Sequence, residues 1–352
     1  MKIAVIAPPF LQIPPTGQGG TEVVVYELTE ELVRRGHDVT LFACGESTTS
    51  ANYVRVFETA VNDMPVDPET MESSRKLRLE MTYFGDVATR LLDSEPFDVV
   101  FNHTRGETAM APLTRFYPAP IISTFHLPIL DEIASVLEHN PKAYAIAISE
   151  NQKGHVKPLS NFVGICYNGV DTDKFPFNAK GGDYLFWIGT IGRHKNTKAA
   201  IQAAQQTGKK LILAGKIRDE DYYEQEIKPL IDGSQISYVG QISFDQKIPY
   251  YRDAEALLFP TLWDEPFGLV AIEALACGTP VIAYPHGALP EIIDDGRNGY
   301  LVDSPETMAE AIRKTSEIDR AACRETVVER FSIGAMTDSY LAAAAEAQKR
   351  QS

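Results

Sequence analysis

The sequence predicts an α/β protein of two doubly wound, Rossmann-like domains. Three observations support this fold class. Short apolar strands alternate with amphipathic helices, which is typical of parallel sheets covered by helices. A turn-rich segment near residue 170 interrupts the alternation, which then begins again. The length of 352 residues suits two domains of ordinary size.

The first half of the chain carries the elements of one parallel sheet. The apolar run Lys2–Ala7 is typical of a buried strand, and Thr21–Arg35 has the spacing of an amphipathic helix. The next strand is His37–Ala43, so the three elements form a βαβ unit, whose strands are parallel. Further strands are predicted at residues 97–101, 120–125 and 143–148. The sequence therefore predicts an N-terminal domain over residues 1–167.

A linker and a second α/β domain follow. Residues 168–182 are rich in turn-forming residues and show no periodicity, which is typical of a linker. The second domain, residues 183–334, begins with the strand Tyr184–Ile188 and the helix Thr197–Gln206. Its further strands are predicted at Leu211–Ala214, Ile236–Val239, Ala256–Phe259 and Pro280–Ala283. The alanine-rich helix 335–352 is expected to pack back on the N-terminal domain.

Composition and charge exclude several classes of function. The 33 Lys and Arg residues against 48 Asp and Glu give a net charge of −15, so the basic surface of a nucleic-acid-binding protein is missing. No apolar run reaches the ~18 residues of a transmembrane helix, although weak peripheral contact with a membrane stays open. Four scattered cysteines argue against structural zinc and a disulfide framework. The opening segment MKIAVIAPPF lacks signal-peptide features, so a cytoplasmic protein is expected.

The stretch from Pro260 to Val281 is the most informative one for function. A predicted strand ends before it, a loop holds Glu265, and a helix begins near Phe267, where free backbone amides would attract a phosphate. Glu273 lies inside that helix. Eight helical residues span about 12 Å, whereas glycosidase carboxylates lie ~5–9.5 Å apart. The two glutamates are therefore better suited to bind two different parts of one long ligand. In the alternative interpretation neither binds a ligand: Glu265 is an ordinary loop acid and Glu273 a solvated residue of the helix.

The same stretch resembles a known family. Glu265-Pro-Phe-Gly-Leu-Val-Ala-Ile-Glu273 resembles the E-x7-E signature of the retaining glycosyltransferases of family 4, also called group 1. Further segments resemble motifs of that family in the expected order: Gly17–Glu22, Arg35–Thr40, Asn168–Phe175 and Gly287–Val302. The resemblance covers nearly the whole chain and implies the GT-B fold, in which two Rossmann-like domains face each other across a deep cleft.

The resemblance also implies which residues bind the donor and act in catalysis. Glu265 would contact hydroxyls of the transferred sugar, Glu273 the donor ribose and Lys195 the diphosphate. His126 matches the family's N-domain histidine close to the reacting sugar, and His103 likewise follows a predicted strand directly. Glu265, Lys195 and His126 are thus the implied catalytic residues. Backbone groups would complete the donor site at Gly19, Gly20, Gly215, Gly240, Phe267, Gly268 and Leu269.

One position departs from the family pattern. Family members carry a Gly-Arg pair after the first strand of the C-terminal domain and a lysine five residues after the arginine, and both cations contact the diphosphate. Here Gly189 is followed by Thr190, while the lysine is present as Lys195. Two hypotheses stay open. Either Arg193 reaches the diphosphate from the same loop, or Lys195 and the helix amides bind it alone.

The implied activity is sugar transfer from a UDP- or GDP-sugar to an acceptor hydroxyl, with retention of configuration and without metal or cofactor. Asp171-Thr-Asp173 is similar to the D-x-D metal motif of another glycosyltransferase architecture, but it lies in the predicted linker. The acidic N-terminal half favours a soluble acceptor over a membrane-held one. Two alternatives remain: a nucleotide-sugar epimerase of the same fold, which needs no acceptor, and a non-catalytic nucleotide-sugar-binding protein, which the loss of the arginine at Thr190 would permit.

Overall fold

The computed structural model of the protein describes residues 1–17, 19–66 and 74–351. The chain divides into two units. The N-terminal unit consists of Met1–Asn168 with Ile333–Ser352, and the C-terminal unit consists of Gly169–Ser332. The boundary lies at the first residue of the segment 168–182 that the sequence analysis assigned to a linker, and the rest of that segment belongs to the C-terminal unit.

The N-terminal unit contains a seven-stranded parallel sheet with the strand order β3-β2-β1-β4-β5-β6-β7. Its strands are β1 (Lys2–Ile6), β2 (Asp38–Cys44), β3 (Asn52–Phe57), β4 (Val99–Asn102), β5 (Ile121–Phe125), β6 (Ala143–Ala147) and β7 (Phe162–Ile165). Its first four helices are α1 (Gly20–Arg34), α2 (Arg75–Asp93), α3 (Asp131–Glu138) and α4 (Glu150–Gly154).

Burial explains why these apolar runs become central strands. Ile3, Ala4, Val5 and Ile6 of β1 are all buried, on both faces of the sheet. An uninterrupted apolar run is what a parallel strand with helices on both faces requires, because neither set of side chains can face water.

The C-terminal unit contains a six-stranded parallel sheet with the order β10-β9-β8-β11-β12-β13. Its strands are β8 (Tyr184–Ile188), β9 (Lys210–Ala214), β10 (Ile236–Tyr238), β11 (Ala256–Phe259), β12 (Val281–Ala283) and β13 (Gly299–Leu301). Its helices are α5 (Thr197–Thr207), α6 (Glu220–Tyr222), α7 (Phe244–Arg252), α8 (Leu269–Ala276), α9 (Leu289–Ile292), α10 (Pro305–Arg313) and α11 (Arg320–Arg330). Trp187 of β8 is buried in the core of this unit together with Leu211 and Leu258.

The strand order of the C-terminal sheet reverses between β8 and β11. From β8 the chain continues to β9 and β10 on one side, whereas β11, β12 and β13 lie on the other side. In open parallel sheets, the carboxyl ends of the strands at such a reversal form the usual ligand-binding crevice. The topology therefore predicts a ligand-binding site at the loops after β8 and β11.

The last helix, α12 (Ile333–Gln351), packs on α1 and β7 of the N-terminal unit. Arg35, at the end of α1, binds the Asp338 carboxylate at 2.5 Å and donates to the Gly334 carbonyl at 3.0 Å. Arg350, near the other end of α12, donates to the Ser160 carbonyl at 2.6 Å. Both ends of the helix are thus fixed by charge-assisted hydrogen bonds.

All four cysteines are buried and free. Burial raises the pKa of the Cys44 and Cys323 thiols to about 12, so both thiols stay protonated at neutral pH. In residues 1–17, 19–66 and 74–351, no helix is both long enough and apolar enough to cross a membrane.

Candidate active site

The loops after β8 and β11 meet at the carboxyl edge of the C-terminal sheet. The Leu262 amide donates to the His194 carbonyl at 2.8 Å, and the Thr261 hydroxyl donates to the same carbonyl at 3.3 Å. These bonds tie together two loops that are about 70 residues apart in the sequence, and they place Lys195 next to Glu265.

Lys195 and Glu265 form an ion pair with aromatic neighbours. The Lys195 ammonium lies 2.5 Å from Oε2 of Glu265, and the Trp263 indole donates to the same oxygen at 2.9 Å. The ammonium also lies 5.2 Å from the Trp263 ring centroid and 5.5 Å from that of Phe259. Among the described residues, none donates a hydrogen bond to Oε1 of Glu265, which leaves this oxygen open to a ligand hydroxyl.

The loop after β12 holds the Glu265 backbone in place. Gly287 has φ +64°, and a Cβ added there would lie 2.2 Å from both the nitrogen and the oxygen of Glu265. The Ala288 amide donates to the Glu265 carbonyl at 2.9 Å, and the Gly287 amide donates to the Asp264 carboxylate at 3.1 Å. Only glycine allows this close approach, so the Gly287 segment positions the carboxylate loop.

Glu273, on α8, is buried and has a partner on each oxygen. The Lys247 ammonium lies 2.6 Å from Oε1, and the Tyr251 hydroxyl donates to Oε2 at 2.8 Å. Burial and the neighbouring Glu273 charge raise the pKa of Tyr251 well above its ordinary value, so its hydroxyl remains a proton donor. Lys247 and Tyr251 are four residues apart on α7 and therefore share one face of that helix.

The sequence analysis did not single out Lys247 or Tyr251. Only their spacing could have indicated a shared role, because a lysine and a tyrosine at positions i and i+4 lie on one face of a helix. The helix itself was not predicted, since it is short and contains Pro249. The pairing of α7 with α8 is visible only in three dimensions.

The N-terminus of α8 provides backbone donors next to Glu265. Gly268 is the N-cap residue with φ +110°, and Leu269 is the first residue of the helix. The first amides of a helix have no partner inside it, and the helix dipole favours an anion at this end. Phe267, Gly268 and Leu269 thus lie where the sequence analysis placed the diphosphate-binding amides, directly after the Glu265 loop.

The glycines at the ends of β8 and β9 bring two backbones unusually close. A Cβ added to Gly215 would lie 1.8 Å from the Gly189 carbonyl oxygen, and Gly215 has φ +136°. The Gly215 amide donates to the Gly240 carbonyl at 2.8 Å. Gly240 has φ +79° and open space around the position of a Cβ. The backbones at Gly189, Gly215 and Gly240 therefore lie close together at this edge of the sheet, without side chains.

A cavity of about 1050 Å³ in the C-terminal unit adjoins Lys195. Thr190 and Arg193 also line it. The Arg193 guanidinium binds the Glu226 carboxylate at 2.5 Å and lies 5.1 Å from the Tyr222 ring centroid. Arg193 is therefore already paired with an acid. This pairing argues against the hypothesis that Arg193 replaces the arginine missing at Thr190.

His126 and His103 of the N-terminal unit form a pair at the ends of β5 and β4. Nδ1 of His103 lies 3.0 Å from Nε2 of His126, and the rings stack with centroids 5.3 Å apart. Burial lowers the pKa of His126 to about 4, and burial together with His126 lowers the pKa of His103 well below its ordinary value. Both imidazoles are neutral at pH 7, so one ring nitrogen donates to the other.

Gly19 and Gly20 lie at the start of α1, Gly19 as its N-cap and Gly20 as its first residue. Gln18 of the same loop lies outside the described residues. A Cβ added to Gly19 would lie 3.0 Å from a carboxylate oxygen of Glu22, so the loop packs closely on that buried acid. The loop has Glu22 where a dinucleotide fingerprint has its last glycine.

The N-terminal unit also holds a group of buried and half-buried acids that were not predicted from the sequence. Burial, with a contribution from the charge of Glu80, raises the pKa of Glu107 to about 8, so this carboxyl is mainly protonated at pH 7. Burial also raises the pKa of Glu22 and Glu80, and the charge of Arg105, whose guanidinium lies 4.6 Å from the Phe10 ring centroid, partly offsets the rise in all three acids. The three acids are distant in sequence, so no local pattern reveals the group.

The D-x-D segment has a structural part in the C-terminal unit. Asp171 caps the short 3-10 turn Thr172–Lys174, and its carboxylate accepts a hydrogen bond from the Asp173 amide at 3.0 Å. Arg324 of α11 donates to the Thr172 carbonyl at 2.8 Å, which fixes the turn on the unit.

Comparison with known proteins identifies two protein families along the chain. The family described as "Glycosyltransferase Family 4" matches residues 18–174, and the family described as "Glycosyl transferases group 1" matches residues 170–328. The second match contains the Lys195, Glu265 and Glu273 site. The two matches follow one another along the chain in the order of the two units.

Curated relatives are similar over nearly the full chain. An uncharacterized glycosyltransferase of Methanocaldococcus jannaschii is 24% identical, covering 88% of this chain and 87% of the relative. The D-inositol 3-phosphate glycosyltransferase of Mycolicibacterium smegmatis is 26% identical, covering 94% of this chain and 87% of the relative.

Solved structures share the fold. A sucrose-phosphate synthase of Thermosynechococcus elongatus aligns with a TM-score of 0.76 at 20% identity and covers 97% of each chain. HepE of Anabaena, solved in complex with UDP and glucose, aligns with a TM-score of 0.71 at 16% identity over 97% of this chain and 98% of that one. The two parallel α/β units together with these neighbours show the GT-B fold.

Proposed function

The chain belongs to the family 4, group 1 glycosyltransferases, and on this premise we propose that it transfers a sugar from a nucleoside diphosphate sugar to an acceptor hydroxyl, with retention of configuration and without a metal ion. We further propose that the donor is a UDP- or GDP-sugar. The observation that carries the proposal is the Lys195–Glu265 pair, held 2.5 Å apart beside the N-terminus of α8 at the strand-order reversal.

The site suits a long, anionic donor with hydroxyls at both ends. The open Oε1 of Glu265 would accept hydrogen bonds from the transferred sugar, and Glu273 would bind the ribose. Lys195 and the amides of Gly268 and Leu269 would hold the diphosphate between them, because they supply a cation and oriented N–H groups. Gly240 leaves room for the base and ribose, since open space surrounds the position of its Cβ, and Gly215 would lie beside them.

The chemistry proposed is a front-face displacement. The bond between the anomeric carbon and the leaving phosphate oxygen breaks, and the acceptor oxygen bonds to the anomeric carbon from the same face. The acceptor proton passes to the departing phosphate oxygen, so atoms and charge balance. Lys195 and the helix amides offset the charge that develops on the phosphate, which is worth most in a site withdrawn from water.

His126 would contact the reacting sugar as a neutral hydrogen-bonding group. Its pKa of about 4 keeps the imidazole uncharged at pH 7, so it binds a hydroxyl without adding a positive charge. We propose that the glycine loop at Gly19 and Gly20 and the segment 47–79 shape the acceptor site, for which a soluble hydroxyl compound is preferred. Residues 67–73 of that segment lie outside the described residues.

A donor screen tests the proposal. The protein is incubated with UDP- and GDP-sugars, with and without EDTA and a panel of acceptor alcohols, and release of nucleoside diphosphate is followed. We expect acceptor-dependent release that survives EDTA and an α-configured product from an α-configured donor by proton NMR. Release that needs a divalent cation would contradict metal independence, and sugar isomerisation without acceptor would indicate an epimerase.

Variants link this activity to the site. Glu273→Gln removes the carboxylate proposed to bind ribose, and we expect a rise in donor KM of about tenfold or more. Glu224→Gln is the matched control, because Glu224 is an exposed acid that pairs with Lys228 and does not line the cavity. Equal kinetics for both variants would contradict the assignment of the donor site.

A further inference from the structure

The cavity beside Lys195 contains a third cation, besides Lys195 and Arg193, that no motif assigns. Arg218, in the loop after β9, lines this cavity together with Thr190 and Lys195. Burial lowers the pKa of the neighbouring His194, and the charges of Lys195 and Arg218 lower it further. The cavity therefore receives positive charge from two neighbouring loops, and the acids Asp219–Asp221 line its other part.

The two loops are bonded directly at the position where the family arginine is missing. The Arg218 amide donates to the Ile191 carbonyl at 3.0 Å, and the Ile191 amide donates to the Lys216 carbonyl at 2.9 Å. Ile191 directly follows Thr190 in the chain. The backbone of Arg218, after β9, is thus hydrogen-bonded to the residue next to Thr190, after β8.

Arg218 differs from the other two cations in having no acidic partner. Arg193 binds Glu226, and Lys195 binds Glu265. Among the described residues, the Arg218 guanidinium has no hydrogen-bond or ion-pair partner. The nearby Asp219 is already used, since it accepts a hydrogen bond from the Tyr222 amide at 2.9 Å as the N-cap of α6.

We infer that Arg218 binds the diphosphate of the donor and supplies the cation that the family carries at the position of Thr190. The inference rests on the proposed function. A guanidinium suits this task because its planar donors can grip two phosphate oxygens at once, whereas a lysine acts as a point charge. In this arrangement the cation comes from the loop after β9, which is hydrogen-bonded to the loop that carries Thr190.

Calorimetric titration with UDP and GDP tests this assignment. For Arg218→Ala we expect the Kd of the preferred nucleoside diphosphate to rise roughly tenfold to a hundredfold, the loss of a charged hydrogen bond. Lys216→Ala is the matched control, because it removes one positive charge from the same loop without lining the cavity, and its Kd should stay within about twofold. Circular dichroism checks that each variant is folded.

A relocation experiment gives the sharper result. The double variant Thr190→Arg with Arg218→Ala restores the family arginine, and we expect it to recover most of the lost affinity. If Arg218→Ala binds like wild type while Lys195→Ala loses binding, the proposed function stands and the inference about Arg218 is overturned. If the wild-type protein binds neither UDP nor GDP, the proposed function fails and the inference fails with it.

Discussion

At the scale of single residues, Glu273 shows how the fold stabilises a buried charge. Its side chain is 6% exposed, and that of Lys247 is 17% exposed. A carboxylate so far from water costs free energy unless each oxygen has a donor, and here Lys247 and Tyr251 supply both. The pair also orients the carboxylate, which a ribose-binding group requires.

Lys247→Met therefore should destabilise the protein. Methionine keeps much of the side-chain volume but leaves Glu273 without its cation, and we expect the free energy of unfolding in urea to fall by about 2–4 kcal/mol. Lys228→Met is the control, since Lys228 binds Glu224 at 2.7 Å on an exposed surface, and it should cost much less stability than Lys247→Met. Similar losses in both variants would show that burial of Glu273 does not matter.

Single residues also show what a sequence can and cannot reveal about the site. Glu265, Glu273 and Lys195 were predicted because they match motifs of a known family, and the structure brings Lys195 and Glu265 together. The fate of Arg193 is not recognisable, because its partner Glu226 lies 33 residues further along the chain on another element. Side-chain pairing across loops depends on tertiary packing, which no local pattern encodes.

At the scale of elements, the loop after β12 supports the loop after β11. The two loops approach so closely at Gly287 that any larger side chain there would collide with the Glu265 backbone. Gly36, at the end of α1, has a similar backbone conformation with φ +82°, but open space surrounds the position of its Cβ. Substitutions at the two glycines can therefore distinguish the cost of backbone strain from the cost of a collision between the loops.

Gly287→Ala and Gly36→Ala should differ in both stability and activity. Both variants incur the cost of a left-handed backbone, about 1 kcal/mol. We expect Gly287→Ala to cost roughly 2 kcal/mol more and to lower the transfer rate at least about tenfold, because Glu265 is displaced. Thermal denaturation and steady-state rates measure the two effects. Full activity in Gly287→Ala would contradict a supporting role for this loop.

The elements themselves were predictable in proportion to their burial. Strands such as β1, β5 and β11 are continuous apolar runs because helices cover both faces, so their sequences identify them. Three strands were not predicted from the sequence, namely β3, β7 and β13, and all three lie at sheet edges and are partly exposed. Edge strands need only half the apolar surface of central ones, so their pattern is weaker.

At the scale of the whole molecule, the buried acid Glu107 makes stability depend on pH. Burial raises its pKa from 4.5 to about 8. Between these values the folded protein holds a proton that the unfolded chain has lost, so stability falls as the pH rises. In the wild-type protein we expect Glu107 to lower the free energy of unfolding by roughly 2–4 kcal/mol between pH 5 and 8. The variant Glu107→Gln should not show this decrease.

Urea denaturation across this pH range measures the effect as a difference between wild type and variant. The difference matters because His126 acts in the opposite direction: its lowered pKa causes stability to fall as the pH drops from 6.5 towards about 4. Glu58→Gln is the control, since Glu58 is an exposed acid that pairs with Arg55. Parallel pH curves for wild type and Glu107→Gln would show that Glu107 is not protonated in the folded protein.

The central claim is that the carboxyl edge of the C-terminal sheet binds the nucleoside diphosphate of the donor, and amide hydrogen exchange with mass spectrometry tests it most directly. With saturating UDP or GDP, we predict slower exchange in residues 189–196 and 264–272, where Lys195, Glu265 and the first turn of α8 lie. Exchange in the β13 and α11 region should not change. Unchanged exchange in both loop segments, with protection elsewhere in the chain, would contradict the account.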